Sequence, residues 1–412
     1  MKLCFAWGYQ VMRDGMETNK MKIEVFAADS QGPEPIENAF RNWIAGHDAQ
    51  PNFVALHQSV PTRGLGLENH FPGVAALHGA TSCLGVMSES GPHISRGAGA
   101  FAIWDANGDY GTALRKLGSD PYAAAKAATE AALLAADRPG EAPDIIWLSV
   151  SPGREEDVLA AIEDVVGDNV PVMGGSAADD TVSGDWQVFD GKDSVADGVI
   201  VSVLFPSKPI SFAYHNGYAP TSHTGVITKA EGRLLKEIDH RPVAEVYSDW
   251  TEGNVIPNQV AERCSILSES TWTPLGRHCD SVGGVPFYLL FHPAAMTPDG
   301  SFELFADAKV GETLTLMKGS ADQLTYRAGK VAALAAQSGK LTADEIAGVL
   351  MVYCGGCMMA VQDKLSDVSA GICEALPGVP FLGIYTFGEQ GMAMGGQNRH
   401  GNLMISAIVF AK

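Results

Sequence analysis

The sequence predicts an α/β fold with mixed sheets, arranged as two halves of similar size, and three observations predict it. A length of 412 residues exceeds one ordinary domain and suits two. Hydrophobic residues make up 46% of the chain and charged residues 18%, enough for a large core and too apolar for disorder. Finally, a unit of strand, loop, helix, strand, glycine-bearing loop and strand can be read three times along the chain.

Residues 1–21 carry Arg13, Asp14, Glu17 and Lys20 and no apolar h-region, so they read as a poorly structured lead-in rather than a signal peptide, with Met21 available as an alternative start. The first copy of the unit spans 52–105: "NFVALHQSV", then "GVAALHGATSCLG", then Gly97 before "AGAFAIW", with a middle connection too short and polar for a helix. Residues 119–136 follow as a helix capped by Ser119 with Pro121 in its first turn. The second copy spans 144–205: "DIIWLSV", a helix on Val158, Leu159, Ile162, Val165 and Val166, "VPVMGGSAADD", and Gly198 opening "VIVSVLF".

Turn-rich text at 206–222 ("PSKP", "YAPTSHTG") places a boundary there, giving domains 22–215 and 216–412. Residues 225–250 read as a strand followed by an amphipathic helix, and 320–338 as a helix opened by the capping box "SADQ". The third copy begins with "GVLMVY". It continues with a helix on Leu365, Val368, Ile372 and Leu376, then "PFLGIYTFGEQG", and Gly401 opens "NLMISAIVF".

The formal net charge of −20 leaves no basic patch to neutralise phosphates, which argues against nucleic acid and anionic membranes as partners. No apolar run reaches the roughly 18 residues of a membrane span. Seven scattered cysteines suggest no disulfide framework, and a cytoplasmic, reduced setting is the expectation.

Open α/β sheets bind ligands at the carboxyl ends of their strands. Each second strand ends there in a small-residue loop, so the loops around Ser82, Ser176 and Thr386 are expected to line one shared cavity. Cys83 is a candidate nucleophile with His78 or His57 as base, or a small buried hydrophobe. Asp179 and Asp180 are adjacent and point apart, so one can hold a ligand amine while the other caps or faces water. Glu389, on a glycine loop, suits an amine partner or a general base.

"VYCGGCMMA" sets Cys354 and Cys357 between a strand and a helix, the geometry of a redox pair or nucleophile, of thiols lining a ligand site, or of a partial metal or cofactor site. Met358 after Cys357 excludes c-type haem attachment. Gly355 and Gly356 can turn backbone N–H groups toward a carboxylate, or form a tight turn only. The expectation is that Cys354 lines the pocket, that Cys357 packs behind it, and that no stable disulfide joins them. The catalytic candidates are Cys83, Cys354 and Glu389. No metal or cofactor is expected; the alternative is haem held by His215 or His400.

"GATSCLG", "VMGGSAADD", "TKAEGRLLKEIDHRPVAEVY" and "GIYTFGEQGMAMGGQNRHGN" together resemble the FIST sensory proteins, with FIST N and FIST C regions in tandem over roughly residues 25–400. The resemblance implies a cytoplasmic module that binds small molecules such as amino acids. Relatives are often fused to kinase, cyclase or methyl-accepting output domains. None is seen here, which implies a signalling partner in trans. A subset resembles haem-binding nitric oxide sensors. Cys354 matches the family cysteine, Cys357 stands where an arginine is common, and the resemblance favours Glu389 over Asp180. The function expected is therefore a small-molecule sensor for a small polar metabolite such as an amino acid or carboxylate. Its pocket is expected to be built from Ser82, Cys83, Ser176, Asp179, Cys354, Gly355, Gly356, Thr386 and Glu389. The alternatives are a standalone hydrolase or lyase using a pocket thiol or Glu389, and a haem-based gas sensor.

Overall fold

The computed structural model describes residues 21–253, 256–257, 260–282 and 284–412. Apart from Met21, the expected lead-in lies outside the described residues. The rest is mixed α/β, and each of the three copies builds one sheet of the same plan. In the first sheet the strands run Lys22–Ala28, Ala98–Trp104, Phe53–Gln58, Ala76–Thr81. In the second they run Asp109–Lys116, Gly198–Phe205, Ile145–Val150, Val172–Ser176. In the third they run Ile210–Asn216, Met404–Ala411, Ile346–Cys354, Phe381–Thr386. The two central strands are parallel in every case, and their neighbours are antiparallel.

A hairpin from another copy completes each sheet. Val188–Phe189 of the second copy pairs with Ala76–Thr81 of the first. Glu389–Met392 of the third pairs with Val172–Ser176 of the second. Val86–Ser88 of the first pairs with Phe381–Thr386 of the third. The exchange closes a ring of three units.

Helices cover the outer faces. Ile36–Ala45 lies on the first sheet through Phe40, against Phe26, Val54 and Leu56. Pro121–Ala135 and Glu155–Val166 lie on the second through Ala125, Ala132, Val158 and Ile162. Ala321–Ser338 and Leu365–Ala375 pack on each other beside the third sheet. The first copy, as expected, has only short 3₁₀ turns (Val60–Leu65, Leu67–His70) between its parallel strands. Between the sheets, Phe53, Phe101, Trp147, Met173 and Phe410 belong to one continuous core.

Four local expectations change. The helix from Pro121 is capped by Asp120, not Ser119, because the carboxylate accepts from Ala123 N and thereby satisfies an orphan amide of the first turn. Leu234–Ile238 is a strand, not helix: Gly232, at φ 57°, turns the chain back so that Leu235 and Ile238 enter a core from one side of a hairpin. Gly401 ends the strand Asn398–Gly401, and the last strand begins at Met404. The strand Ile210–Asn216 runs across the expected 215/216 boundary and pairs along Met404–Phe410.

The sequence reading also passed over an insertion. Ala219–Lys318 forms a nine-stranded sheet with its own core on Ile227, Leu235, Tyr247, Phe291, Phe302 and Leu314. It sits between the first strand and first helix of the third unit. No helix among the described residues is long and apolar enough to cross a membrane.

Candidate functional site

The three parallel strand pairs end in register, Gln58 with Thr81, Val150 with Ser176, and Cys354 with Thr386. The loops beyond them meet and are knitted by backbone hydrogen bonds. Ala178 N donates to Thr81 O (3.0 Å), Cys83 N to Tyr385 O (3.1 Å), Ser176 N to Gly388 O (2.7 Å) and Phe387 N to Ser176 O (3.1 Å). The approach is so close that a Cβ on Gly175 would stand 2.4 Å from the Thr386 methyl, while one on Gly174, at φ 151°, would stand 1.9 Å from Leu148 O, so the strand carries two glycines. Ser82 accepts from Tyr385 N (2.9 Å), and its hydroxyl donates to Gly85 O. The loops around Ser82, Ser176 and Thr386 thus converge, but as a packed junction; the open space lies on its flanks.

Glu389 lies at the junction, fully buried. Its Oε1 accepts from Thr386 Oγ1 (2.8 Å) and its Oε2 from Met404 N (2.9 Å), and no cation pairs with it among the described residues. Burial, with the Cys354 thiol beside it, pushes its pKa well above the carboxylate range against the pull of those two bonds, which favours the neutral form. Burial also pushes the Cys354 thiol well up, with Cys357 adding to it and the amides of Cys357 and Gly356 opposing. Cys83 is raised in the same way, first by burial and then by Asp180 and Asp179. None of the three is prepared as a nucleophile or base in this arrangement. Cys357 is buried behind Cys354 against the Tyr218 hydroxyl (3.7 Å), and all six described cysteines are free. His78 is held between Ser202 and Ser149 (2.9 and 3.0 Å), with His57 and Trp147 packed near it, in the space between the first two sheets.

Asp179 and Asp180 serve the loop that bears them. Asp179 is buried and accepts from the amides of Thr181, Ser183, Gly184 and Asp185 at 2.7–3.0 Å. Burial would raise its pKa, and these amides outweigh it and lower it. Asp180 accepts from Leu84 N (2.8 Å). The loop carries Val182 at φ 56°, an uncommon conformation for a β-branched residue, over a small cavity of about 20 Å³. Cys354 and Gly356 line this cavity with Leu267, Phe305, Phe387 and Asn402. Of the expected site residues, these two glycine-turn neighbours alone reach it.

On the other flank, Ser176 Oγ donates to Glu155 Oε1 (2.7 Å). Arg233 bridges Glu155 Oε2 (2.7 Å) and Glu156 Oε2 (2.6 Å) and approaches Asp307 (3.4 Å). Burial would raise the Glu155 pKa, but His400, Arg233 and Ser176 hold it down at about 2. One atom each of Glu155, Glu156 and His400 lie within 4.8 Å of one another. The trio does not fit a metal, since the guanidinium holds both carboxylates and both His400 ring nitrogens are engaged, by Gln390 (3.1 Å) and Phe305 O (3.0 Å). The same bonds unsuit His400 as a haem ligand. His215 binds the Asn216 backbone through Nδ1 and lines a separate cleft of about 460 Å³ with Phe212, Met392 and Met394.

Above the ion cluster opens the largest cleft described, about 570 Å³, between the helix Glu155–Val166, the insertion and the hairpin strand Asn398–Gly401. Arg277 and Glu312 pair on its wall (2.6 Å). Glu163, Lys309 and Arg399, also on its walls, form no ion pair among the described residues. Sequence reasoning missed Glu155, Arg233, Lys309, Arg399 and Asn402. A signal existed for three of them, because Arg233 lies in "TKAEGRLLKE" and Arg399 and Asn402 in "NRHGN", stretches that carried the family resemblance.

Comparison with known proteins adds a frame. The model of the FIST N domain matches residues 53–241 and that of the FIST C domain residues 244–392. An uncharacterized protein of Methanocaldococcus jannaschii, MJ1623, is 32% identical over 96 residues, 23% of this chain and 19% of that protein's length. Among solved structures, a cyanuric acid hydrolase is similar with a TM-score of 0.35 at 10% identity, over 95% of this chain and 100% of its own. The enzyme of A. caulinodans scores 0.37 at 9%, over 94% and 99%. Likenesses of this size fix neither fold nor activity.

Proposed function

The chain belongs to the FIST family, its N and C domains in tandem over residues 53–392, and from that premise we propose that it is a sensor-type protein whose cleft binds a small polar metabolite, an amino acid or a small carboxylate. FIST domains bind small molecules. One observation carries the choice of site. The cleft takes walls from both matched regions, Glu156–Glu163 from the first and Arg277–Thr313 from the second, so an occupant would clamp one against the other. Lys309 and Arg399, which form no ion pair among the described residues although Arg399 donates to Gln397 Oε1, suit a carboxylate, and Glu163 suits an amine. A cytoplasmic setting and a signalling partner in trans belong to this reading.

The hydrolase or lyase reading is weaker. It asks Glu389 or a neighbour to take the Cys354 proton, and burial disfavours the carboxylate form that would accept it. Titration calorimetry with the twenty amino acids and a set of small carboxylates tests the proposal. At least one ligand should saturate the protein, and Lys309→Ala and Arg399→Ala should each weaken it about tenfold, roughly 1.4 kcal/mol, without lowering the melting temperature. Failure of every ligand, or binding indifferent to both changes, overturns it.

A further inference from the structure

We infer that the cavity beside Cys354 is a second ligand site, separate from the cleft, and that it takes a small uncharged carbonyl compound whose oxygen accepts from Asn402 Nδ2. Asn402 lines the cavity and is only 2% exposed. Its Oδ1 accepts from His292 N (3.3 Å), which leaves Nδ2 as the donor, and Nδ2 has no partner among the described residues. Buried donors in native proteins are paired by protein, water or ligand, so this one calls for an acceptor.

The rest of the lining fixes the class. Leu267, Phe305, Met359 and Phe387 offer apolar surface to a ligand body, and the Cys354 thiol lies among them. Among the described residues no Lys, Arg, Asp or Glu lines the cavity. The other polar side chain, His292, is engaged through Nε2 by Leu267 O (2.9 Å) and Thr271 Oγ1 (3.1 Å). A carboxylate or ammonium here would be a buried charge with no counter-charge, which is strongly disfavoured; a neutral carbonyl group meets the orphan donor at no such penalty. The closed space, about 20 Å³, admits one water-sized group. A larger occupant must lift the roof. Val182 forms part of that roof, 40% exposed and left-handed, and Asp179 holds the amides on either side of it, those of Thr181 and Ser183, so the part of the roof free to move is the Val182 side chain.

Iodoacetamide and iodoacetate test the inference on the full chain. Both alkylate thiols, but only the first is an uncharged primary amide. Rates at Cys354 are read by peptide mass spectrometry, with the part-exposed Cys264 as internal reference. The iodoacetamide-to-iodoacetate ratio at Cys354 should exceed that at Cys264 at least tenfold. Millimolar propionamide should slow Cys354 at least fivefold, whereas propionate should not. Val182→Gly should speed Cys354 several-fold and leave Cys264 unchanged, and Asn402→Ala should erase the preference. Equal ratios at the two cysteines, no protection by propionamide, or equal protection by propionate overturns the inference. So does a Cys354 that neither reagent reaches even in Val182→Gly, which would assign the cavity to a single water. Lys309 and Arg399 take no part in this test, so its failure leaves the cleft reading standing, and the reverse.

Discussion

Glu155 and Glu389 are both buried carboxyls beside the loop junction, one bonded to the Ser176 hydroxyl and the other to the Thr386 hydroxyl, and their surroundings push their pKa values in opposite directions. Each also accepts one backbone amide, from Gly153 and from Met404. The difference lies in the remaining partners. Glu155 has His400 and, at 2.7 Å, the Arg233 guanidinium, both of which lower its pKa; Glu389 has the Cys354 thiol, which raises it. A hydroxyl and an amide do not offset the desolvation of a buried carboxylate, and a well-placed cation does.

The largest break in this comparison should come from Arg233→Met. It leaves Glu155 and Glu156 without their cation, and urea unfolding should show a loss of about 3–5 kcal/mol. A loss under about 1 kcal/mol would mean the cluster is solvated rather than paired.

Glu155→Gln comes next. The Glu155 pKa is lowered from 4.5 to about 2, so its contribution is fully present above the unfolded value and is lost as pH falls through the folded one. Wild type should shed about 3 kcal/mol of stability from this group between roughly pH 5 and 2, and the variant should lack that part of the slope. Superimposable profiles would remove Glu155 from the acid limb.

Glu389→Gln should act with the opposite sign. Its raised pKa makes its contribution full below the unfolded value of about 4.5 and progressively lost as pH rises toward the folded one. The variant should lie within about 1 kcal/mol of wild type at pH 5 and gain on it at higher pH. A variant that instead loses ground with rising pH would show Glu389 to be ionised.

The smallest effect sharpens the histidine assignments. Protein as isolated should show no Soret band, and His215→Ala should leave its spectrum unchanged. A band that survives gel filtration and disappears in this variant would place haem in the Met392–Met394 cleft.

The repeating unit was legible because its strands are short apolar runs punctuated by glycine, signals carried within a dozen residues. The ring was not. The hairpin strands Val86–Ser88 and Val188–Phe189 are three and two residues long, and Val86 finds its partner at Ile384. Nothing local marks such an edge. The partnership of Arg233 with Glu155 is likewise hidden by distance, 78 positions apart along the chain. Cys354, Thr386 and Glu389 were singled out because open α/β sheets bind ligands at strand ends, and the structure gathers them at one junction where only Cys354 reaches a cavity. Asp179 shows the limit of that rule, because its carboxylate is consumed by the loop it begins. The insertion was misread at Leu234–Ile238 because apolar residues at 234, 235 and 238 fit a helical turn as well as a hairpin strand.

The hairpin exchange bears on how such a protein can be inherited and divided. A fragment ending at residue 241 would hold two complete copies of the unit but leave the Val172–Ser176 strand without Glu389–Met392 beside it, and Val86–Ser88 without Phe381–Thr386. Those are raw sheet edges, which recruit other chains and aggregate. The first matched region is thus not a detachable module. Gene fusion can add to such a chain at its ends, but recombination inside the circuit breaks every sheet it crosses, and synthesis must pass residue 411 before the last strand can close it.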